Sequence, residues 1–210
     1  VPSLEEIREF ESMQGADRLE RWTQKLLADR RFADYFSERF TRAFVGVAQG
    51  QFIFFRDRFK AWLSEQIQEN TPYDELVRKL IAGEGLWTGD PQTNFITSAV
   101  ADGNLDRNKL TGSTVRAFLG QRIDCAQCHD HPFDHWKQAD FEGLTAFYGQ
   151  VEVQVLGVRS NRKLKYEVED RMTLEQREVA PRVPFLTECL PAEGTLRERL
   201  AEWVTHPDNR

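Results

Sequence analysis

"FADYFSERFTRAFVGV", Phe32 to Val47, sets Phe32, Tyr35, Phe36, Phe40, Ala43, Phe44 and Val47 at mostly three- and four-residue steps. That period matches an α-helical turn, so the stretch predicts a helix with one strongly aromatic face. The same period runs outward in both directions. Upstream, Leu19, Trp22, Leu26 and Leu27 form an apolar face behind Asp17, a candidate cap, and Asp29 to Arg31 break the pattern. Downstream, Phe52, Phe55, Phe59, Trp62, Leu63 and Ile67 form another face. "TPYD" then reads as a helix start, with Thr71 as cap, Pro72 at the first helical position and Asp74 closing the box. Its face is Leu76, Val77, Leu80 and Ile81, and Gly83 to Gly89 end it. A short helix is expected near Asn94 to Val100, and another from Ser113 to about Arg122. A third, capped by Asp140, carries Phe141, Leu144, Phe147 and Tyr148.

After Gln150 the period changes. "VEVQVLGV" and "KLKYEVE" alternate apolar and polar residues around "RSNR", which predicts one β-hairpin. "APRVPFLTECLPAEG" is proline-rich and reads as an extended linker. A last helix starts at Thr195, with Glu198 completing a capping box and Leu196, Leu200 and Trp203 on its face. The fold class is therefore mainly α, a multi-helix domain with one β-hairpin following the cysteine-rich segment at 124–135. Residues 1–150 form the helical domain, 151–180 the hairpin and its extension, and 181–210 a linker with the first helix of a following domain.

The 210 residues suit one domain or two small ones, and 40% hydrophobic with 30% charged residues is the balance of a folded globular chain. Fifteen Phe and five Trp predict an aromatic core. A net charge of −6 argues against nucleic acid or an anionic membrane as partner. The mean hydropathy of −0.58 and the absence of a long apolar run argue against a membrane span in this chain. The opening VPSLEEIREF lacks the pattern of a signal peptide, and the chain stops at "THPDNR" like a piece of something longer.

"DCAQCHDHPFDH", Asp124 to His135, holds two of the three cysteines and three of the four histidines. Cys125, Cys128 and His129 fit C-x-x-C-H, the attachment signature of c-type haem. Two thiols three positions apart reach the two vinyl groups of the porphyrin, and the following imidazole becomes the proximal iron ligand. Other chemistries compete for the same residues. A thioredoxin-like dithiol would need a strand before the pair, where a helix is expected. A Cys nucleophile with a His base lacks a third, orienting group. Cys125, Cys128, His131 and His135 also form C-x2-C-x2-H-x3-H, a ligand set suited to zinc.

For the haem's sixth position the candidates are His131, His135, Met172, Met13 and His206, each with an ordinary packing or surface role as its plainer explanation. The candidate metal ligands are thus His129 and His131. Asp130 and Asp134 are candidates to orient the imidazoles. The aromatic helices could enclose a haem, although such stripes more often fill a core. Cys189 sits alone in an apolar stretch and reads as structural.

The stretch "FLGQRIDCAQCHDHPFDHWKQADFEGLTAFYGQV", Phe118 to Val151, resembles the planctomycete cytochrome-c-like domain of unknown function. The likeness rests on FLG before CAQCH, then Asp130-His131-Pro132-Phe133-Asp134, then Gln138 with Asp140 and an aromatic helix. Weaker similarity covers "RLERWTQKLLADRRFADYFSERF" and "TPYDELVRKLIAGEG", and "GTLRERLAEWVTHPDNR" is similar to the start of the uncharacterised domain that follows it. His135 departs from the family pattern. The resemblance implies an exported, periplasmic or cell-surface setting within a larger protein, and no established reaction. The sequence thus leaves three functions open. They are electron transfer by covalent haem c with a redox partner and neighbouring domains, a five-coordinate haem enzyme, and a zinc-stabilised interaction module.

Overall fold

The helical period resolves into nine α-helices among the described residues, which are 2–47, 53–154, 157–169 and 173–209 of this computed structural model. α1 (Leu4–Ser12) and α2 (Arg18–Ala28) contribute no fully buried residue. They are held by edge contacts: the Phe10 and Trp22 rings lie 5.4 Å apart, Lys25 pairs with Glu9, and Arg31 of the next helix pairs with Glu6. Asp17 does not cap α2 with its side chain, because the carboxylate pairs with Arg21 at 3.0 Å instead.

α3 (Arg30–Val45) is capped by Asp29 and packs along α4 (Arg56–Gln68). Between them Ser64 Oγ donates to Asp34 at 2.5 Å, and Arg56 pairs with Glu38 at 2.8 Å. Phe52, expected on the α4 face, lies outside the described residues. α5 (Tyr73–Ala82) starts just after the expected position, with Pro72 as the cap residue. Thr71 Oγ1 donates to Gln66 Oε1 and accepts no N–H from the helix start, so the expected capping box does not form.

The apolar faces of α3, α4 and α5 meet α6 (Asn94–Thr97), α7 (Arg107–Phe118) and α8 (Gln138–Thr145) in the hydrophobic core. Phe44, Phe59, Leu80, Phe95, Leu110 and Phe147 are buried there. Each side chain of this size contributes roughly 1.5–3 kcal/mol on burial. Tyr148 is fully buried, and its hydroxyl shares a 2.7 Å hydrogen bond with Thr114. Between α6 and α7, β1 (Val100–Ala101) and β2 (Asn104–Leu105) make a two-residue antiparallel ribbon.

The region after α8 holds two hairpins where the alternation predicted one. β3 (Val151–Gln154) pairs with β4 (Gly157–Ser160), so the first alternating run folds back on itself. β5 (Glu167–Glu169) pairs with β6 (Gln176–Glu178), which uses a run with no apolar alternation at all. Gly157 permits the first pairing. It sits at φ +116°, and a Cβ there would lie 2.0 Å from the carbonyl oxygen of Gly85, which bonds Val158 N–H at 2.9 Å.

The proline-rich segment is extended but not detached. Arg182 N–H donates to Gly143 O at 3.1 Å, and Val183 is buried. Phe185 packs between Trp136 and Trp203, and its carbonyl accepts the Trp203 indole N–H at 3.1 Å. α9 (Leu196–Val204) begins with the expected Thr195/Glu198 capping box and buries Leu200, Ala201 and Trp203 against α5 in the same core. Arg197 is 2% exposed and donates to the carbonyls of Ile81 and Gly83 at the end of α5, to Glu84 and to Ser160 of β4.

Candidate functional site

The Cys/His segment joins α7 to α8. Ile123 and Ala126 are buried and fasten a 3₁₀ turn, Asp124–Gln127, beside α8. The turn exposes Cys125, Cys128 and His129. Cys128 N–H donates to Cys125 O at 3.2 Å, and His129 N–H donates to the same oxygen at 3.4 Å. Cys128 is the C-cap of the turn and His129 follows it, so the two cysteines and the histidine lie within one compact, exposed stretch of backbone.

The neighbouring histidines are in opposite chemical states. His129 Nδ1 lies 2.7 Å from the main-chain oxygen of Asp130. A carbonyl only accepts, so Nδ1 carries a proton, and in the neutral ring Nε2 then keeps the lone pair a metal needs. His131 Nδ1 instead accepts Phe133 N–H at 3.3 Å, which puts the proton of the neutral ring on Nε2. The two candidate metal ligands therefore differ: the neutral His129 ring has its lone pair on Nε2, and the neutral His131 ring has its lone pair on Nδ1, where it accepts Phe133 N–H.

The two acids serve the loop more than the imidazoles. Asp130 accepts Gln138 N–H at 3.0 Å and the Lys137 ammonium at 3.2 Å, which closes the segment 130–138 on itself. These bonds hold its carboxyl below the usual carboxylate range, the Gln138 N–H contributing most. His131 N–H donates to Trp136 O at 2.8 Å across the same loop. Asp134 accepts His135 N–H at 2.7 Å and its ring nitrogen at 2.6 Å, so it orients His135, not His129 or His131. Its carboxyl is likewise held low, chiefly by the His135 N–H. Trp136 is 2% exposed and roots the loop in the core, while Phe133 at the tip is 94% exposed.

Beside the turn lies a cleft of about 340 Å³ between α8 and the β5–β6 hairpin. Cys128 and Gln127 line one side, Phe141 and Glu142 its floor, and Tyr166 and Arg177 the hairpin side. Arg177 pairs with Glu142 at 2.5 Å, and Tyr166 donates to Asn108 at 3.0 Å. Apart from Phe141 of α8, the aromatic helix faces do not line this cleft. Phe44 and Phe95 pack on Phe118 at 5.2 and 5.5 Å and belong to the core.

Of the other candidates for an axial ligand, Met172 lies outside the described residues, and Met13 stands at the C-terminal cap of α1. His206 belongs to a second cluster that the sequence did not disclose. Among the described residues, the side-chain ligand atoms of Cys189, His206 and Asp208 all lie within 4.8 Å of one another. Cys125, Cys128, His131 and His135 make no such convergence among the described residues.

The donor set of the 124–129 segment fits a c-type haem: two exposed cysteines are followed by an imidazole whose neutral ring has its lone pair on Nε2, and Cys128 lines an open cleft. No helix among the described residues is long and apolar enough to cross a membrane. Comparison with curated proteins and with solved structures gives no match. Residues 1–153 match the model of one protein family, and on that extent the chain belongs to PSCyt2, a cytochrome-c-like protein family of unknown function (DUF1549).

Proposed function

We propose that this domain carries a covalent c-type haem on Cys125 and Cys128, with His129 as proximal ligand, and serves electron transfer within a larger exported protein. The observation that carries the reading is the His129 Nδ1 bond to Asp130 O, set one residue beyond two cysteines on the same helical turn. Each thiol adds across one vinyl group, the sulfur bonding one carbon and the thiol hydrogen ending on the other. When bound, the haem supplies a one-electron ferric/ferrous couple. The Asp130 carbonyl fixes the ring of His129 and increases the donor strength of Nε2. Exposure of Cys125, Cys128 and His129 leaves this face open to a redox partner or to neighbouring domains of the same protein. Haem attachment to C-x-x-C-H takes place outside the cytoplasm, in keeping with a periplasmic or cell-surface location.

The five-coordinate alternative draws on His131, whose Nδ1 is engaged by Phe133 N–H and whose Nε2 bears the proton. Spectra of exported protein separate the two readings. Low-spin, six-coordinate iron supports electron transfer, and high-spin iron that binds cyanide or carbon monoxide supports an enzyme or ligand sensor. A pyridine-haemochrome spectrum without the covalent-haem signature, from a sample made with the maturation machinery, overturns both.

A further inference from the structure

The second cluster is built from two chain segments that the core brings together. Cys189 ends a 3₁₀ turn, Thr187–Cys189, and packs against the core from one side. His206 and Asp208 follow α9 in a turn closed by Asn209, whose N–H donates to His206 O at 2.9 Å and whose side chain donates to Trp203 O at 2.8 Å. The two segments are joined through Trp203, which holds Phe185 O, four residues before Cys189.

His206 Nδ1 accepts Asp208 N–H at 3.2 Å, so this nitrogen bears a lone pair. An Asp208 carboxylate oxygen stands 3.7 Å from the same nitrogen, and the Cys189 sulfur, a ring nitrogen of His206 and an Asp208 oxygen all lie within 4.8 Å of one another. Acceptors gathered this closely repel one another unless a proton or a cation lies between them.

We infer that Cys189, His206 and Asp208 form a binding site for a zinc-class divalent cation, separate from the haem turn. Thiolate, imidazole and carboxylate are all zinc ligands, and one thiolate with one carboxylate neutralises a dication. A tetrahedral ion with bonds of about 2.0–2.3 Å needs ligand atoms roughly 3.3–3.8 Å apart, a small contraction from the observed group. The ion takes the place of the long Asp208 N–H bond on Nδ1. Three protein ligands leave a fourth position for water or another ligand. The bound ion would fasten the end of α9 to the 187–189 turn.

The test uses the full chain with Cys125→Ser and Cys128→Ser, which leaves Cys189 as the single thiol and removes the haem motif from the outcome. Cobalt(II) is expected to bind one-to-one with a near-ultraviolet thiolate-to-cobalt charge-transfer band, displaced by zinc. His206→Ala and Asp208→Asn should each weaken binding about 10-fold or more. A chain with intact helical circular dichroism and no charge-transfer band overturns the inference, as does undiminished binding in both variants. A second measurement needs no variant. In the three-cysteine protein, zinc should slow alkylation of Cys189 at least about tenfold, located by peptide mass, and an unchanged rate overturns the site.

Discussion

Two places in this chain put cysteine beside histidine, and they are made in opposite ways. At Asp124–His129 the groups are neighbours in sequence, sit in and just after one 3₁₀ turn and are exposed. At Cys189, His206 and Asp208 they come from two segments and meet because Phe185 and Trp203 are packed together. The first depends on local backbone geometry, the second on the core beneath it. Mutations should therefore separate them.

The largest expected effect is all-or-none: Cys125→Ala with Cys128→Ala abolishes covalent haem in exported protein, read by haem staining after denaturation. Both side chains are exposed, so the same double variant should leave apo-protein stability within about 0.5 kcal/mol, measured by urea unfolding. Trp203→Ala attacks the other region. Trp203 is 0% exposed, and its loss should destabilise the fold by about 3–5 kcal/mol in the same experiment. If the comparison holds, that variant loses the Cys189 convergence while the haem turn still accepts covalent haem under conditions where the protein remains folded. Equal loss at both places would break it.

Two smaller effects sharpen the picture. His129→Ala should keep haem on the two cysteines yet shift its Soret band and spin state, because only the axial ligand is removed. The smallest concerns pH. The Asp130 carboxyl is held below the usual range in the folded chain, so its hold on Gln138 N–H is complete above the unfolded value of about 3.9. It is lost as pH falls through the lower folded value. Amide exchange at Gln138 should accelerate in that acid window, and Asp130→Asn should flatten the dependence.

The same contrast explains what the sequence disclosed. Most helix positions follow from apolar spacing, although α7 begins at Arg107 and not at the expected Ser113, and the Thr195/Glu198 box formed where expected, because both depend on residues a turn apart. The Cys125/Cys128/His129 pattern was legible for the same reason. Thr71 and Asp17 failed as side-chain caps because competing partners, Gln66 and Arg21, were placed by packing or by the helix itself. The second hairpin escaped notice since β6, Gln176–Glu178, is polar throughout and is held by backbone pairing and by ion pairs of Arg177 with Glu142 and Glu178 with Lys165. Opposite tautomers for His129 and His131 rest on which backbone group each ring meets, which spacing does not specify.

Arg197 adds a consequence for how this family's members can be divided. The matched segment ends at residue 153, yet the guanidinium from α9 satisfies two main-chain oxygens at the end of α5, within that segment. A protein cut at the edge of the recognisable similarity would bare the α5 surface that Leu200 and Trp203 cover and strip those oxygens of their donor. The packed core therefore extends beyond the segment that the family likeness covers.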